Sequence, residues 1–194
     1  EQGIGHYFVP RYTRVVDTAE SKDNINKAYN LISTSKVRNE MIIDDVITCV
    51  ARKQTPVILT RFKEHAKFLH DALKEKADHV FLLYGDNSDK ENAEIRVKLK
   101  QIPENESLIL VATGQKIGEG FDFPRLDVLM LAAPVSFEGR LEQYVGRLNR
   151  DYVGKEAVYV YDYIDSHVRY FDKMYAKRLR TYRKMGFSMW TQEL

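Results

Sequence analysis

Pro56-Val57-Ile58-Leu59-Thr60 is a short, almost continuously apolar run, and two residues later the pattern turns amphipathic and helical from Lys63 to Lys74. A strand with one wet face alternates apolar and polar residues, whereas a run without alternation is buried on both faces. The same switching continues downstream. Strands are predicted at Val80–Tyr84, Leu108–Ala112, Val128–Ala132 and Ala157–Tyr163, and helices at Asp89–Lys100 and Glu138–Leu148. Buried strands alternating with helices specify a doubly wound α/β domain, a mainly parallel sheet with helices on both faces. Ligands in such sheets sit outside the carboxyl ends of the strands, which directs attention to the residues just after Leu59, Val111 and Leu131.

Outward from this core, residues 1–20 read as an extended arm, with Pro10 limiting it to an edge or irregular strand. Two amphipathic helices follow, one presenting Ile25, Ala28, Tyr29 and Ile32 and the other Ile43, Val46, Ile47 and Val50. At the other end, Asp165 onward reads as one long helix with the apolar stripe Val168, Phe171, Tyr175, Leu179 and Tyr182. A basic line, Arg169, Lys173, Lys177, Arg180 and Lys184, runs beside it; it could follow the phosphates of a nucleic acid, and a solvated face is the simpler reading. The expected organisation is an arm and two helices (1–54), an α/β core (55–165) and a C-terminal basic amphipathic helix and tail (166–194).

With 194 residues and 44% hydrophobic content the chain makes one ordinary domain, and a net charge of +2 neither requires nor excludes a polyanion. The single Cys49 cannot form an internal disulfide, which favours a reducing, cytoplasmic compartment, and no apolar run approaches the length that spans a bilayer. None of the five histidines has Cys or carboxylate companions at metal-ligand spacing.

Two segments carry chemistry. Gln143-Tyr-Val-Gly146-Arg147-Leu-Asn-Arg150 places Gln143, Arg147 and Arg150 at i, i+4 and i+7, one face of a helix, where two guanidiniums and a carboxamide suit a polyphosphate. A solvated face with salt bridges is the plain alternative. Upstream, the strand Leu108–Ala112 runs into Thr113-Gly114-Gln-Lys116-Ile-Gly118-Glu-Gly120-Phe-Asp122-Phe-Pro124, a glycine-rich loop whose N–H groups can cradle phosphates while Asp122 accepts from a ribose hydroxyl or pairs an arginine. Those glycines can equally serve tight turns.

In this order and spacing the two segments resemble motifs V and VI of the superfamily 2 helicase C-terminal domain, the second RecA-like lobe. Val57-Ile-Leu-Thr60-Arg61 with Glu64-His65 is similar to motif IV. The resemblance covers roughly residues 56–165, and Gly118-Glu-Gly-Phe-Asp-Phe-Pro124 is closest in wording to the restriction-enzyme-like branch. It implies a RecA-like fold in which Arg147 and Arg150 act as arginine fingers on ATP, with Gly120, Asp122 and Gln143 beside the nucleotide. Thr60, Arg61, Thr113, Gly114 and Lys116 would then line a nucleic-acid backbone, DNA in preference to RNA. Helix N-capping is the alternative use of Thr60 and Thr113.

No G-x-x-x-x-G-K-[ST] loop and no acidic metal box occurs in the chain, so ATP with Mg²⁺ is expected to be held mainly by an N-terminal lobe of the same parent chain, preceding Glu1. On this reading the 194 residues alone are inactive. Two rivals stand beside it. One is a non-catalytic nucleic-acid or protein interaction module derived from such a lobe; the other is a nucleotide-using α/β enzyme such as a glycosyltransferase half.

Overall fold

The computed structural model describes residues 3–83, 88–114, 122–135 and 138–191. In chain order the elements are β1 (Gly5–Tyr12), α1 (Ile25–Thr34), α2 (Lys36–Ala51), β2 (Pro56–Thr60), α3 (Lys63–Leu73), β3 (His79–Leu83), α4 (Asp89–Gln101), β4 (Leu108–Thr113), β5 (Val128–Leu131), α5 (Glu138–Gly146), β6 (Ala157–Ile164), α6 (Met174–Lys184) and β7 (Ser188–Met189). The strands form one sheet in the order β3-β4-β2-β5-β6-β1-β7, and every pairing is parallel.

The apolar runs bury both faces, as their lack of alternation requires. On one face Val57, Leu59, Leu110 and Leu131 pack against Leu99 of α4, Leu141, Tyr144 and Val145 of α5, and Tyr182 of α6. On the other, Ile58, Val111 and Met130 meet Ile42, Val46 and Cys49 of α2 and Ala66, Leu69 and Leu73 of α3. Burial pushes the Cys49 thiol up to about 12, so it is an inert core group. A third cluster, Ala28, Tyr29 and Ile32 of α1 with Val168 and Phe171, sits beside Phe62 at the end of β2.

Local chemistry sets the helix ends. Asn24 caps α1 by accepting from the Asn26 and Lys27 N–H groups, and Ser88 opens α4 with a capping box to Glu91. At the end of α6 the Phe187 N–H reaches the Tyr182 carbonyl (2.8 Å) and the Gly186 N–H reaches that of Arg183 (3.1 Å), a Schellman ending. Gly186 has φ +83°, which only glycine adopts without strain.

Three expectations change. The N-terminal arm is not an edge or irregular strand: β1 lies between β6 and β7 and pairs with β6 over its full length, Gly5 opposite Ala157 and Tyr12 opposite Ile164. Pro10 is tolerated because β7 pairs only Tyr7 and Phe8, leaving a single neighbour at Pro10. The tail is not one long helix either. Residues 166–173 form successive turns, Val168 N to Asp165 O, Phe171 N to Val168 O and Met174 N to Phe171 O, which fold Val168 and Phe171 onto α1 before α6 begins. Arg169 and Lys173 therefore stand outside the helix, and the basic line is broken.

Finally, α5 stops at Gly146. Arg147, Leu148 and Asn149 donate to the carbonyls three residues back, at 3.1, 3.0 and 3.1 Å, so the last turn tightens and Arg150 leaves the helix face it was expected to share with Gln143 and Arg147.

Candidate functional site

From β2 the chain runs outward to the edge strand β3 and returns through β4; it then crosses to the other side of β2 to form β5. The carboxyl ends of β4, β2 and β5 therefore flank a switch point, the place where open parallel sheets bind ligands. Thr60 and Thr113 are register partners there, and Gly114 follows.

Thr60 is buried, and its hydroxyl bonds Nδ1 of His65, whose Nε2 lies 2.8 Å from Asn39 Oδ1. Asn39 donates its amide to the Ser33 carbonyl (2.9 Å), so its Oδ1 must accept, Nε2 must carry the ring proton, and Nδ1 must accept from Thr60. The Thr60 proton is thus committed to the interior, and the side chain is not the cap of α3, whose N-cap is Phe62. Arg61 is exposed and its guanidinium lies 4.3 Å from the Tyr29 ring centroid; the Tyr29 hydroxyl in turn donates to the Pro134 carbonyl at 3.4 Å. Beside Phe62 a cleft of about 840 Å³ opens between α1, α2 and α3; among the described residues of the site, Asn39 and His65 of this relay line it.

The glycine-rich segment and the arginine segment meet. Arg150 Nε stands 3.4 Å from Asp122 Oδ1, and both side chains are about half exposed. Lys155 ties the same two stretches together, its ammonium donating to the Arg150 carbonyl (2.8 Å) and the Pro124 carbonyl (3.0 Å). Gln143 is exposed on α5 and Arg147 half-buried in the tightened turn. Among the described residues a Cβ at Gly146 would meet no atom within 4 Å, so their packing does not demand a glycine there. Lys116 and Gly120 lie outside the described residues. Among the described residues no group of His, Cys, Asp or Glu could hold a metal ion; the guanidiniums and ammonium of this segment are donors of the kind that suit phosphate oxygens.

Sequence reasoning missed the groups that brace this edge. Arg38 and Asp165 form a fully buried pair (Nε to Oδ1 2.9 Å, Nη2 to Oδ2 3.0 Å); Arg38 Nη1 also donates to the Ala132 carbonyl, and the Thr13 hydroxyl to Asp165 Oδ1 (2.6 Å). This joins the ends of β1, β5 and β6 to the start of α2. A second buried pair, Arg178 with Asp162, is completed by the Tyr182 hydroxyl. The available signal was two aspartates, Asp162 and Asp165, at the end of an otherwise apolar strand, since buried carboxylates require partners.

Two titrating groups make a testable pair. Burial, aided by the charge of Arg38, lowers His65 to about 4. Burial raises Asp127 to about 6, although it accepts the Thr55 N–H. A histidine depressed on folding contributes stability above its ordinary value near 6.5 and loses it as pH falls toward 4. An aspartate raised on folding does the opposite, losing stability as pH rises from about 4 to 6. The two slopes oppose each other in this window. We expect Asp127→Asn to steepen the fall in stability between pH 6.5 and 4, by roughly 2 kcal/mol across the range, in urea melts at fixed pH. Parallel curves for the two proteins would refute the assignment.

The chain is 30% identical over 138 residues to transcript termination protein A18 of Yaba-like disease virus, and 26% identical over 123 residues to transcript termination protein OPG145 of vaccinia virus, covering 68% and 62% of this chain. It spans less than a third of the length of these curated relatives, 28% and 24%. Among solved structures, T4 UvsW superposes with a TM-score of 0.72 at 20% identity over 97% of this chain and 41% of that one. A DEAD box protein from the hyperthermophile Methanococcus jannaschii gives 0.59 at 16% identity, over 98% and 42%. The fold is thus RecA-like. Residues 37–151, spanning α2 to just beyond Arg150, match the helicase conserved C-terminal domain, and the chain belongs to that family.

Proposed function

We propose that the chain is the second motor lobe of an ATP-dependent nucleic-acid helicase or translocase, supplying Arg147 and Arg150 to ATP held mainly by a first lobe elsewhere in the parent protein. The observation that carries this reading is the meeting of the glycine-rich and arginine segments, through the Asp122–Arg150 ion pair and the bonds from Lys155 to the Arg150 and Pro124 carbonyls. An ion pair as exposed as Asp122–Arg150 contributes at most about 1 kcal/mol, so Arg150 can exchange Asp122 for a phosphate. Arg147, on the tightened turn, is the principal finger, and Gln143, Gly120 and Asp122 flank the nucleotide. Bound ATP with Mg²⁺ supplies the transferable phosphoryl group and its charge; the arginines offset the charge that grows on it.

On the nucleic-acid side Arg61, Thr113, Gly114 and Lys116 contact the sugar-phosphate backbone. Thr60 holds the β2–α3 turn in shape through His65 and presents its main chain to the strand. Such contacts are sequence-blind. Closure of the two lobes around ATP and their opening after hydrolysis would shift this grip along the strand. DNA is the proposed strand, the restriction-enzyme-like branch the proposed relation, and the cytoplasm the proposed location. No helix among the described residues is long and apolar enough to cross a membrane.

The test is steady-state ATP hydrolysis by the full-length protein with single-stranded DNA, duplex DNA or RNA. The expected result is a several-fold stimulation by DNA, with the half-saturating DNA concentration rising steeply with salt because bound phosphates release counterions. Stimulation by RNA alone keeps the motor and replaces its substrate. Nucleic-acid binding without any hydrolysis would refute the motor and favour an interaction module.

A further inference from the structure

Gly114 has no conformational need to be a glycine. The described glycines with positive φ are Gly154 and Gly186, so Gly114 lies in backbone space open to any residue. What it lacks is room. A Cβ at this position would stand 2.5 Å from the hydroxyl oxygen of Tyr144, 3.1 Å from its Cζ and 3.6 Å from Cε2, where carbon contacts ordinarily settle at about 3.5–4 Å. The phenol cannot swing aside cheaply, because Tyr144 is 5% exposed and packed in the same core cluster as Leu141, Val145 and Leu148. The side chain of α5 thus fills the hollow left by the missing Cβ at the exit of β4.

Tyr144 also holds the arginine turn. Its carbonyl accepts the Arg147 N–H at 3.1 Å, the first of the three bonds that tighten the end of α5. One residue therefore touches both parts of the site: its main chain carries the turn bearing Arg147, and its ring abuts the residue that opens the glycine-rich loop. We propose that Tyr144 is a positioning residue that couples the arginine turn to the nucleic-acid grip, so that movement of Arg147 toward a phosphate displaces Thr113 and Gly114 through the phenol. This rests on the motor-lobe function proposed above. The coupling is mechanical: a rigid ring in a filled hollow transmits a displacement that a gap would absorb.

The test is a double-variant cycle in the full-length protein, reading the DNA concentration that half-maximally stimulates ATP hydrolysis separately from the rate at saturating DNA. Gly114→Ala forces the ring away and is expected to raise the half-saturating DNA concentration about tenfold. Tyr144→Phe removes the atom at 2.5 Å and leaves a tight but tolerable 3.1 Å to Cζ. Adding Tyr144→Phe to Gly114→Ala should therefore bring that concentration back to within about threefold of Tyr144→Phe alone, a coupling of the size contacting residues show.

Independent, multiplicative effects of the two substitutions would overturn the coupling, since residues that do not press on each other add. Should Gly114→Ala melt far below the parent, Tyr144→Phe decides alone: a shift of about threefold or more in half-saturating DNA with an unchanged melting temperature supports the coupling, and no shift overturns it. A parent protein that no nucleic acid stimulates removes the motor reading, and the coupling with it. A stimulated parent with additive variants removes only the role of Tyr144.

Discussion

Replacing Arg147 by alanine in the full-length protein is expected to lower nucleic-acid-stimulated ATP hydrolysis by about 10³-fold or more while leaving ATP affinity within about tenfold. The asymmetry follows from where the charge appears. On the proposed function the ground-state nucleotide would be held mainly by a first lobe, whereas a guanidinium beside the transferring phosphoryl group would act on charge that grows only in the transition state. Three short-range bonds tighten the end of α5 and leave Arg147 half-buried on that turn, from which the proposed function would have it act. Alanine at this position removes the side chain without removing the N–H that closes the turn, and a melting curve of the variant separates a loss of turnover from a loss of fold. Turnover that survives Arg147→Ala undiminished would exclude the finger. Loss of turnover and of nucleotide binding together would make Arg147 a binding group.

Asp165→Ala should cost about 3–5 kcal/mol in folding stability, because it strands a guanidinium that is fully buried. The Thr13 hydroxyl loses its acceptor in the same step, and Arg38 is left with the Ala132 carbonyl and the Tyr163 ring. Replacing both charges, Arg38→Met with Asp165→Leu, should recover most of the loss, since apolar residues of similar volume often match or exceed a buried pair. Urea denaturation of the three proteins gives the comparison. A double variant as unstable as Asp165→Ala would mean that the hydrogen bonds to Thr13 and Ala132, and not the stranded charge, dominate the cost.

The strands were legible because burial on both faces removes alternation, and runs as short as Val57-Ile-Leu59 and Leu108-Ile-Leu-Val111, set between helical patterns, read as strands by their length. The grouping of Asp122 with the arginine segment was legible from motif order, and the contact with Arg150 is the pairing that a lone carboxylate beside two arginines suggests. Long-range partners were not legible. Arg38 and Asp165 lie 127 positions apart, and either one alone reads as a surface charge. His65 looked inert because no metal-ligand spacing surrounds it; its use is to orient Thr60 and Asn39 by hydrogen bonds, which leave no periodic trace. Arg150 was misplaced because i, i+4, i+7 arithmetic assumes an unbroken helix, and the tightening after Gly146 rotates the following residues off that face. The interior position of β1 was hidden by Pro10, a residue that penalises a central strand only where neighbours lie on both sides.

The register of β1 also has a meaning in time. Gly5 to Tyr12 lie opposite Ala157 to Ile164, so the strand made among the first residues here waits for partners made near the last. At a ribosomal pace of roughly 5–20 residues per second that wait is on the order of ten to thirty seconds. Through it Tyr7, Phe8 and Val9 have no sheet to join, and the loop that must close is among the longest the domain contains. The β2–β5 sheet with α3 and α4 can assemble before β6 emerges; the roof built from α1, Val168 and Phe171, and the bracing of Thr13 and Arg38 by Asp165, cannot. Completion of the sheet and bracing of its carboxyl edge are therefore one event, and it waits for β6.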